Sequence, residues 1–578
     1  YEDLKQYLIT RYSDLTITEI EHIVSKLDNI PSVPLYEGNR ETFNLINKGF
    51  DLVREDPTKI AVHVDFIDFD NPKNNTFKVV NQFVLNVSPL VNSDANHRRP
   101  DMIIFINGIP VGIFEFKTAI EEDKTVYDAW EQICIRYKRD IPNLMKYCMF
   151  AVISDGANTK IGTIFSNYKF FYSWNKVNDE DIASSGISSL YSMIQGVFTK
   201  ERLCSILRDF IFYPDDSKKE ESIICRYPQF FAANKMFENI KKHKKPNGDG
   251  KGGIYFGATG SGKTYTILFL SRLLMQRDVK TFENPTIVLI TDREDLDTQA
   301  SKLFVTATSY LGEKNVRSIE SRQDLKDTLS IRASGGVYVT TIQKFCEEIG
   351  VLSERSNIIC ISDEAHRTQT GVGAKLKKTE KGVFTTYGFA EYLRRSFPNA
   401  TYCGFTGTPI DESVAVFGKI VDSYTMKESS DDGITVRISY EPRLARVILS
   451  DSDAKEIQKY YDKCAEQGSN PEQIEESQKA MSRMTAILGH PERLKKMAKD
   501  IVEHYEKLSN EKPEIVQKAM IVCADRSIAF KLYKEIIAIR NDWSIPRKCE
   551  DESKYTKEEL DKMPTVAKIN MVATRGDN

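Results

Sequence analysis

Three short stretches hold residue types whose spacing suits chemistry on phosphates. The first runs Gly257, Ala258, Thr259, Gly260, Ser261, Gly262, Lys263, Thr264. It fits the pattern of a glycine, four residues, then Gly-Lys-Thr. A short apolar run, Gly253 to Phe256, precedes it, and Tyr265 to Met275 follows as an apolar helix. Glycines let backbone N–H groups turn inward around phosphate oxygens, and the helix N-terminus adds partial positive charge. Lys263 is expected to reach the β- and γ-phosphates of ATP, and Thr264 to hold Mg²⁺. The second stretch ends the apolar run Ile358 to Ser362 with Asp363-Glu364-Ala365-His366. A carboxylate at the carboxyl end of a parallel strand faces the same crevice as the phosphate loop. Asp363 is expected to bind the nucleotide's Mg²⁺, Glu364 to position and activate the attacking water, and His366 to relay the state of the γ-phosphate.

The third stretch is a charged hairpin. Arg98-Arg99-Pro100-Asp101 leads into Met102 to Ile106, then Asn107-Gly108, then a second apolar run from Val111 to Lys117. Asn-Gly between apolar runs is a hairpin signal. Glu115 and Lys117 lie two apart and so project from one face. Asp101 and Glu115 together offer hard oxygen ligands for Mg²⁺. Such a metal polarises a phosphodiester and lowers the pKa of an attacking water, which Lys117 could orient. A four-residue loop including Pro110 would put Glu115 on the wrong side, so a bulge or an odd loop is required for the two carboxylates to share a face. The plainer alternative is a surface strand ending in Glu-x-Lys.

The elements that must position these residues read as a multidomain α/β protein. Residues 1–50 have helical spacing, while 60–69, 76–87, 148–154 and 170–174 read as strands and 187–207 as a helix. After the phosphate loop, strands at 286–291, 337–341, 358–362 and 401–405 alternate with helices, as in a doubly wound parallel sheet. Beyond the charged, helical stretch 440–509, strands are expected at 518–523 and 568–573 around a helix at 528–539. The boundaries expected are 1–212, 213–430 and 431–578. The formal net charge of −3 announces no global basic field, so a nucleic-acid partner must be met by local patches. Ten cysteines without a C-x-x-C pair read as reduced thiols of a cytoplasmic protein. No apolar run approaches the ~20 residues of a membrane span, and no signal peptide is read. The chain opens at Tyr1 without Met, which is consistent with a trimmed N-terminus.

Pro100-Asp101 followed by Glu115-Phe116-Lys117 resembles the PD-(D/E)xK nuclease pattern. The following helix, 128–138, carries Gln132, which resembles the glutamine behind this core in type I restriction subunits. That family shows Gln, three residues, Tyr; here Arg136 holds that spacing and Tyr137 comes one later. The motor half resembles superfamily 2 helicase-like proteins. The finer resemblance, to the motor and nuclease subunit of type I restriction-modification enzymes, rests on Arg226-Tyr227-Pro228-Gln229, Thr291-Asp292-Arg293-Glu294, Thr340 to Phe345, Gly404 to Pro409 and Asp432-Gly433-Ile434. The resemblance implies an endonuclease domain, a RecA-like motor domain, and the first part of a second one. It implies that Gln229 and Arg226 contact the adenine end of ATP, and that 292–297 and 340–345 lie along the DNA track. It also implies double-stranded DNA as substrate, with recognition and methylation left to partner specificity and methyltransferase subunits. Further motifs, including arginines that reach the γ-phosphate, are expected beyond residue 578, so this stretch is expected to bind ATP but turn it over poorly. Two rival readings are a helicase or remodeller whose N-terminal domain only binds DNA, and a nucleotide-gated scaffold.

Overall fold

A computed structural model describes residues 1–88, 96–118, 125–181, 186–215, 219–291, 294–345, 350–365, 375–379, 382–386, 389–408, 411–441, 488–511, 517–549 and 556–572. The chain forms two compact units, Tyr1–Arg437 and Ile438–Asn578. Among the described residues no helix is long and apolar enough to cross a membrane, and the cysteines are free thiols.

The first unit begins with helices α1 (Glu2–Arg11), α2 (Ile17–Asp28) and α3 (Leu35–Lys48). Thr16 and Glu19 cap α2 reciprocally, which satisfies backbone donors that a helix start otherwise leaves open. A five-stranded sheet follows, in the order β1 (Phe77–Asn81), β2 (Met102–Ile106), β3 (Ile109–Phe116), β4 (Phe150–Ser154), β5 (Thr159–Gly162). β3 is the middle strand, antiparallel to β2 and parallel to β4. It is buried on both faces from Ile109 through Glu115. A parallel pair needs a crossover, and the helical stretch after residue 125 supplies it. That stretch is α4 (Val126–Glu131), which continues as a π-helical turn over Gln132–Tyr137.

The expected helix over 187–207 is two helices, α5 (Ser188–Val197) and α6 (Lys200–Asp209). Thr199 accepts a bond from the Arg202 N–H and restarts the helix. Residues 170–174 form no strand; a single bridge links Tyr172 to Ile161. Of 60–69, only Val62–Val64 is a strand.

Helix α7 (Tyr227–His243), with Pro228 in its first turn, leads into the second sheet. Its strands are β6 (Lys251–Gly257), β7 (Thr286–Thr291), β8 (Val316–Ser318), β9 (Val337–Thr341), β10 (Ile358–Asp363), β11 (Thr401–Thr406) and β12 (Ile420–Tyr424). The order is β8-β9-β7-β10-β11-β6-β12, all parallel. β7, β9 and β11 are buried at every position, which is why they read as unbroken apolar runs. Helix α8 (Lys263–Gln276) follows β6 directly.

In the second unit α9 (Pro491–Glu511) and α10 (Arg526–Ile539) bury Leu494, Ala498 and Val502 with Ile528, Leu532 and Ile536. The strands expected at 518–523 and 568–573 are not formed in the described residues, and Met520 and Val522 stay 88% and 82% exposed. Apolar side chains alone do not make a strand; the backbone groups need a neighbouring ladder.

Candidate nuclease and nucleotide sites

The hairpin turn is two residues long. Asn107 and Gly108 both lie in the left-handed region, at φ 50° and 76°, the conformation that Asn-Gly favours in two-residue hairpins. Ile106 pairs with Ile109 and Phe105 with Pro110, but Ile104 pairs with Gly112. Val111 is therefore an extra residue, a bulge. Beyond it Met102 faces Phe114, so Asp101 comes opposite Glu115. Without the bulge, Asp101 would face Phe114, and every side chain of the strand end would turn over.

The bulge brings four polar side chains together. Asp101 Oδ2 accepts the Phe116 N–H at 2.8 Å, and its Oδ1 accepts the Gln82 amide at 2.9 Å. Lys117 Nζ donates to Glu115 Oε1 at 2.8 Å and to Gln132 Oε1 at 2.7 Å. Glu115 is 3% exposed. Burial pushes its carboxyl up to about 7, Lys117 pulls it down, and the Asp101 charge pushes it up again. Two repelling carboxylates, each oxygen with a lone pair still to give, suit a hard divalent cation. Among the described residues no group of three or more His, Cys, Asp or Glu gathers.

The π-helical turn accounts for the displaced tyrosine. In an α-helix, residues four apart stack on one face; a π-turn moves that alignment to five. Tyr137 stands five after Gln132, and the Gln132 amide donates to the Tyr137 hydroxyl at 2.7 Å. That hydroxyl donates in turn to Glu115 Oε2 at 3.2 Å. Sequence reading gave Gln82 no role, and nothing in the sequence ties it to Asp101, nineteen residues on.

At the end of β6, Gly260 and Gly262 take φ of 81° and 87°. A side chain on Gly262 would meet Arg226 Nη2 at 2.5 Å and Gln229 Nε2 at 2.9 Å. Gln229 donates to the Gly262 carbonyl at 3.2 Å, and Arg226 donates to the Ser261 carbonyl. The Arg226 guanidinium also lies over the Tyr172 ring, 5.0 Å from its centroid. The Ser261 hydroxyl is buried without a hydrogen-bond partner among the described residues. Lys263 Nζ donates to the Gly257 carbonyl at 3.2 Å and stands 3.7 Å from Glu364 Oε1. Thr264 is in the first turn of α8.

Asp363 ends β10, and Glu364 follows at φ 51°, a left-handed backbone rare for a side chain of its length. Burial, then the Glu364 charge, pushes the Asp363 carboxyl up to about 6, and Lys263 pulls it down. Such strain and crowding collect at sites of chemistry. Ala365 N–H donates to the Phe405 carbonyl at 3.0 Å. A side chain on Gly407 would lie 2.9 Å from Thr259 Oγ1 and 3.6 Å from Lys263 Nζ. The ends of β6, β10 and β11 therefore converge on Lys263. His366, Asp292, Arg293 and Pro409 lie outside the described residues.

Residues 1–170 match the family model described as the type I restriction enzyme R protein N terminus. Residues 228–475 match that of the SWI2/SNF2 ATPase. The chain is similar to type I restriction endonuclease subunits. The type I restriction enzyme HindI endonuclease subunit of Haemophilus influenzae is 32% identical over 562 residues, covering 94% of this chain and 50% of its own. The type I restriction enzyme SsaAORF53P endonuclease subunit of Staphylococcus saprophyticus is 24% identical over 467 residues, covering 76% of this chain and 44% of its own. The chain spans about half the length of the curated relatives it matches. The structure of the yeast DEAD-box splicing factor Prp28 is 18% identical, covers 37% of this chain and 49% of its own, and has a TM-score of 0.22, too low to carry an argument.

Proposed function

We propose that this chain is the nuclease and leading motor portion of a type I restriction subunit. The whole subunit hydrolyses ATP to translocate double-stranded DNA and cuts that DNA at the Asp101 hairpin. The observation that carries the reading is the pairing, within one compact unit, of two sites: Asp101, Glu115, Lys117 and Gln132 in one, Lys263, Asp363 and Glu364 in the other. The division at 212/213 and 430/431 into endonuclease, first RecA-like domain and start of a second belongs to this proposal. So do a cytoplasmic location and an assembly with specificity and methyltransferase subunits.

In the nuclease site Asp101 and Glu115 would hold Mg²⁺, which supplies Lewis acidity toward a phosphodiester and a more acidic attacking water. Lys117, fixed between Glu115 and Gln132, presents its ammonium to that water or to the negative charge gathering on phosphorus. Tyr137 holds the second oxygen of Glu115 in place. In the motor, the backbone N–H groups of 257–264 and Lys263 cradle the phosphates, while Thr264 and Asp363 would hold the nucleotide's Mg²⁺. Glu364 accepts the proton of the water that attacks the γ-phosphate. Arg226 and Gln229, anchored on the loop itself, meet the adenine end.

The test uses the full-length subunit assembled with its partners. Asp101→Ala or Lys117→Ala should lower DNA cleavage by about 100-fold or more while ATP binding stays intact. Glu364→Gln should stop translocation and leave nucleotide binding. Cleavage that survives both nuclease changes would leave the helicase-with-DNA-binding-domain reading in its place. Translocation that survives Glu364→Gln would favour a different base or the scaffold.

A further inference from the structure

Away from both sites, a cavity of about 540 Å³ opens between α3 and the far half of α8. Arg40 and Lys48 of α3, Arg208 of α6 and Arg272 of α8 line it, and among the described residues Asp215 is the one carboxylate in the lining. Asp215 already accepts the Ser309 N–H at 2.7 Å. Behind the wall, Asp209 is shared by three guanidiniums, with Arg208 and Arg277 at 3.1 Å and Arg272 at 3.7 Å. Arg208 also pairs with Asp70 at 2.8 Å, yet among the described residues the five cations Arg40, Lys48, Arg208, Arg272 and Arg277 outnumber the three carboxylates Asp70, Asp209 and Asp215.

Arg272 is the informative member. It is 8% exposed, and its Nε, buried without a hydrogen bond among the described residues, stands 3.7 Å from Asp209 Oδ1. Its other nitrogens donate to the Tyr310 carbonyl at 2.8 Å, and at 3.4 Å to Asn47 Oδ1 and to the Arg208 carbonyl. A buried guanidinium that shares its one carboxylate among the described residues with two others is incompletely neutralised. Lys48 stands exposed at the rim and donates to the Ser309 carbonyl at 3.3 Å. Partial desolvation by the cavity wall pulls its ammonium below the ordinary lysine value, the Arg272 charge pulls it further, and the Asp215 charge pushes it back up. An anion between them would relieve both.

We propose that this cavity binds a small phosphate ester of about mononucleotide size, at a site separate from the phosphate loop. The volume lies in the range of ordinary small-molecule sites, and Phe43, Tyr213 and Tyr310 add ring surface beside the cations. Arg272 follows Thr264 by eight residues on α8, about 12 Å along the helix axis. A ligand here therefore touches the N-terminal helices and the helix of the phosphate loop together, which suits it to report between them. The proposal stands on the cavity alone and does not depend on the restriction reading.

The test uses the full chain carrying Lys263→Ala, which weakens binding at the phosphate loop. Calorimetry with inorganic pyrophosphate and with ADP should show one residual site. Lys48→Gln or Arg40→Gln should weaken it about tenfold or more. Asn44→Phe, which fills the cavity without removing a charge, should abolish it; circular dichroism checks that each variant is folded. Absence of residual binding at millimolar ligand overturns the proposal, and so does residual binding unmoved by all three changes. Binding of a short DNA duplex that these variants weaken, with no binding of either small probe, overturns it in favour of a nucleic-acid backbone contact.

Discussion

Glu115 joins burial to a charge partner that repels it and another that holds it. Its carboxyl, ordinarily at 4.5, is pushed up to about 7, chiefly by burial. Between those values the folded protein keeps a proton that the unfolded chain has lost. Stability from this group is therefore fully present below pH 4.5 and falls as pH rises toward about 7. The loss is on the order of 3 kcal/mol. Glu115→Gln should remove this decline, read by urea denaturation at about pH 5 and about pH 8. At the higher pH, millimolar Mg²⁺ should raise the melting temperature of the unaltered protein and leave that of Glu115→Gln nearly still. Equal Mg²⁺ shifts in both would remove Glu115 from the ligand set.

At the scale of elements, two local irregularities set the nuclease constellation. The Val111 bulge turns β3 by one residue so that Asp101 and Glu115 meet. The π-turn of 132–137 turns its helix by one residue so that Gln132 and Tyr137 meet. Sequence reading asked for a bulge or an odd loop here, because the parity of a regular hairpin fails. It undervalued Tyr137, because helical spacing assumes four residues, not five. Deleting Arg136, an exposed residue of that turn, should let the stretch close as a regular α-helix with the tyrosine four after Gln132. DNA cleavage should be retained within about tenfold, whereas Tyr137→Phe in the undeleted protein should lose the bond to Glu115 and lower cleavage further. Cleavage abolished by the deletion alone would show that the π geometry itself is needed.

At the scale of the molecule, the residues before and after 212 share one core. Trp174, 1% exposed, packs its ring 5.7 Å from Phe230 and 6.4 Å from Tyr227, measured between centroids, both on α7. Gly196 admits it: a side chain there would come within 2.4 Å of Trp174 Cδ1. Asn175 donates to Asp432 at 2.7 Å and Lys176 to Glu428 at 3.2 Å. Tyr227 and Tyr424 both donate to Asp432, at 2.5 Å and 2.6 Å. Since α7 also carries Gln229, Trp174→Ala should cost about 3–5 kcal/mol and weaken ATP binding as well. A calorimetric scan should show one lowered transition for residues 1–437; loss confined to an independently melting N-terminal part would count against the shared core.

The sequence by itself determined the chemistry-bearing residues, five of the seven strands of the parallel sheet, and the demand for a bulge or an odd loop. These follow from local rules: glycine spacing, apolar runs, and the alternation of a strand. Only the tertiary structure decided that Val111 is the bulged residue, that Gln82 holds Asp101, and that cations from distant helices face one cavity. It also decided that 518–523 forms no strand among the described residues. Each of these depends on which backbone or side chain arrives from elsewhere in the chain, and hydrogen bonds, desolvation and like-charge crowding exist only once those groups have met.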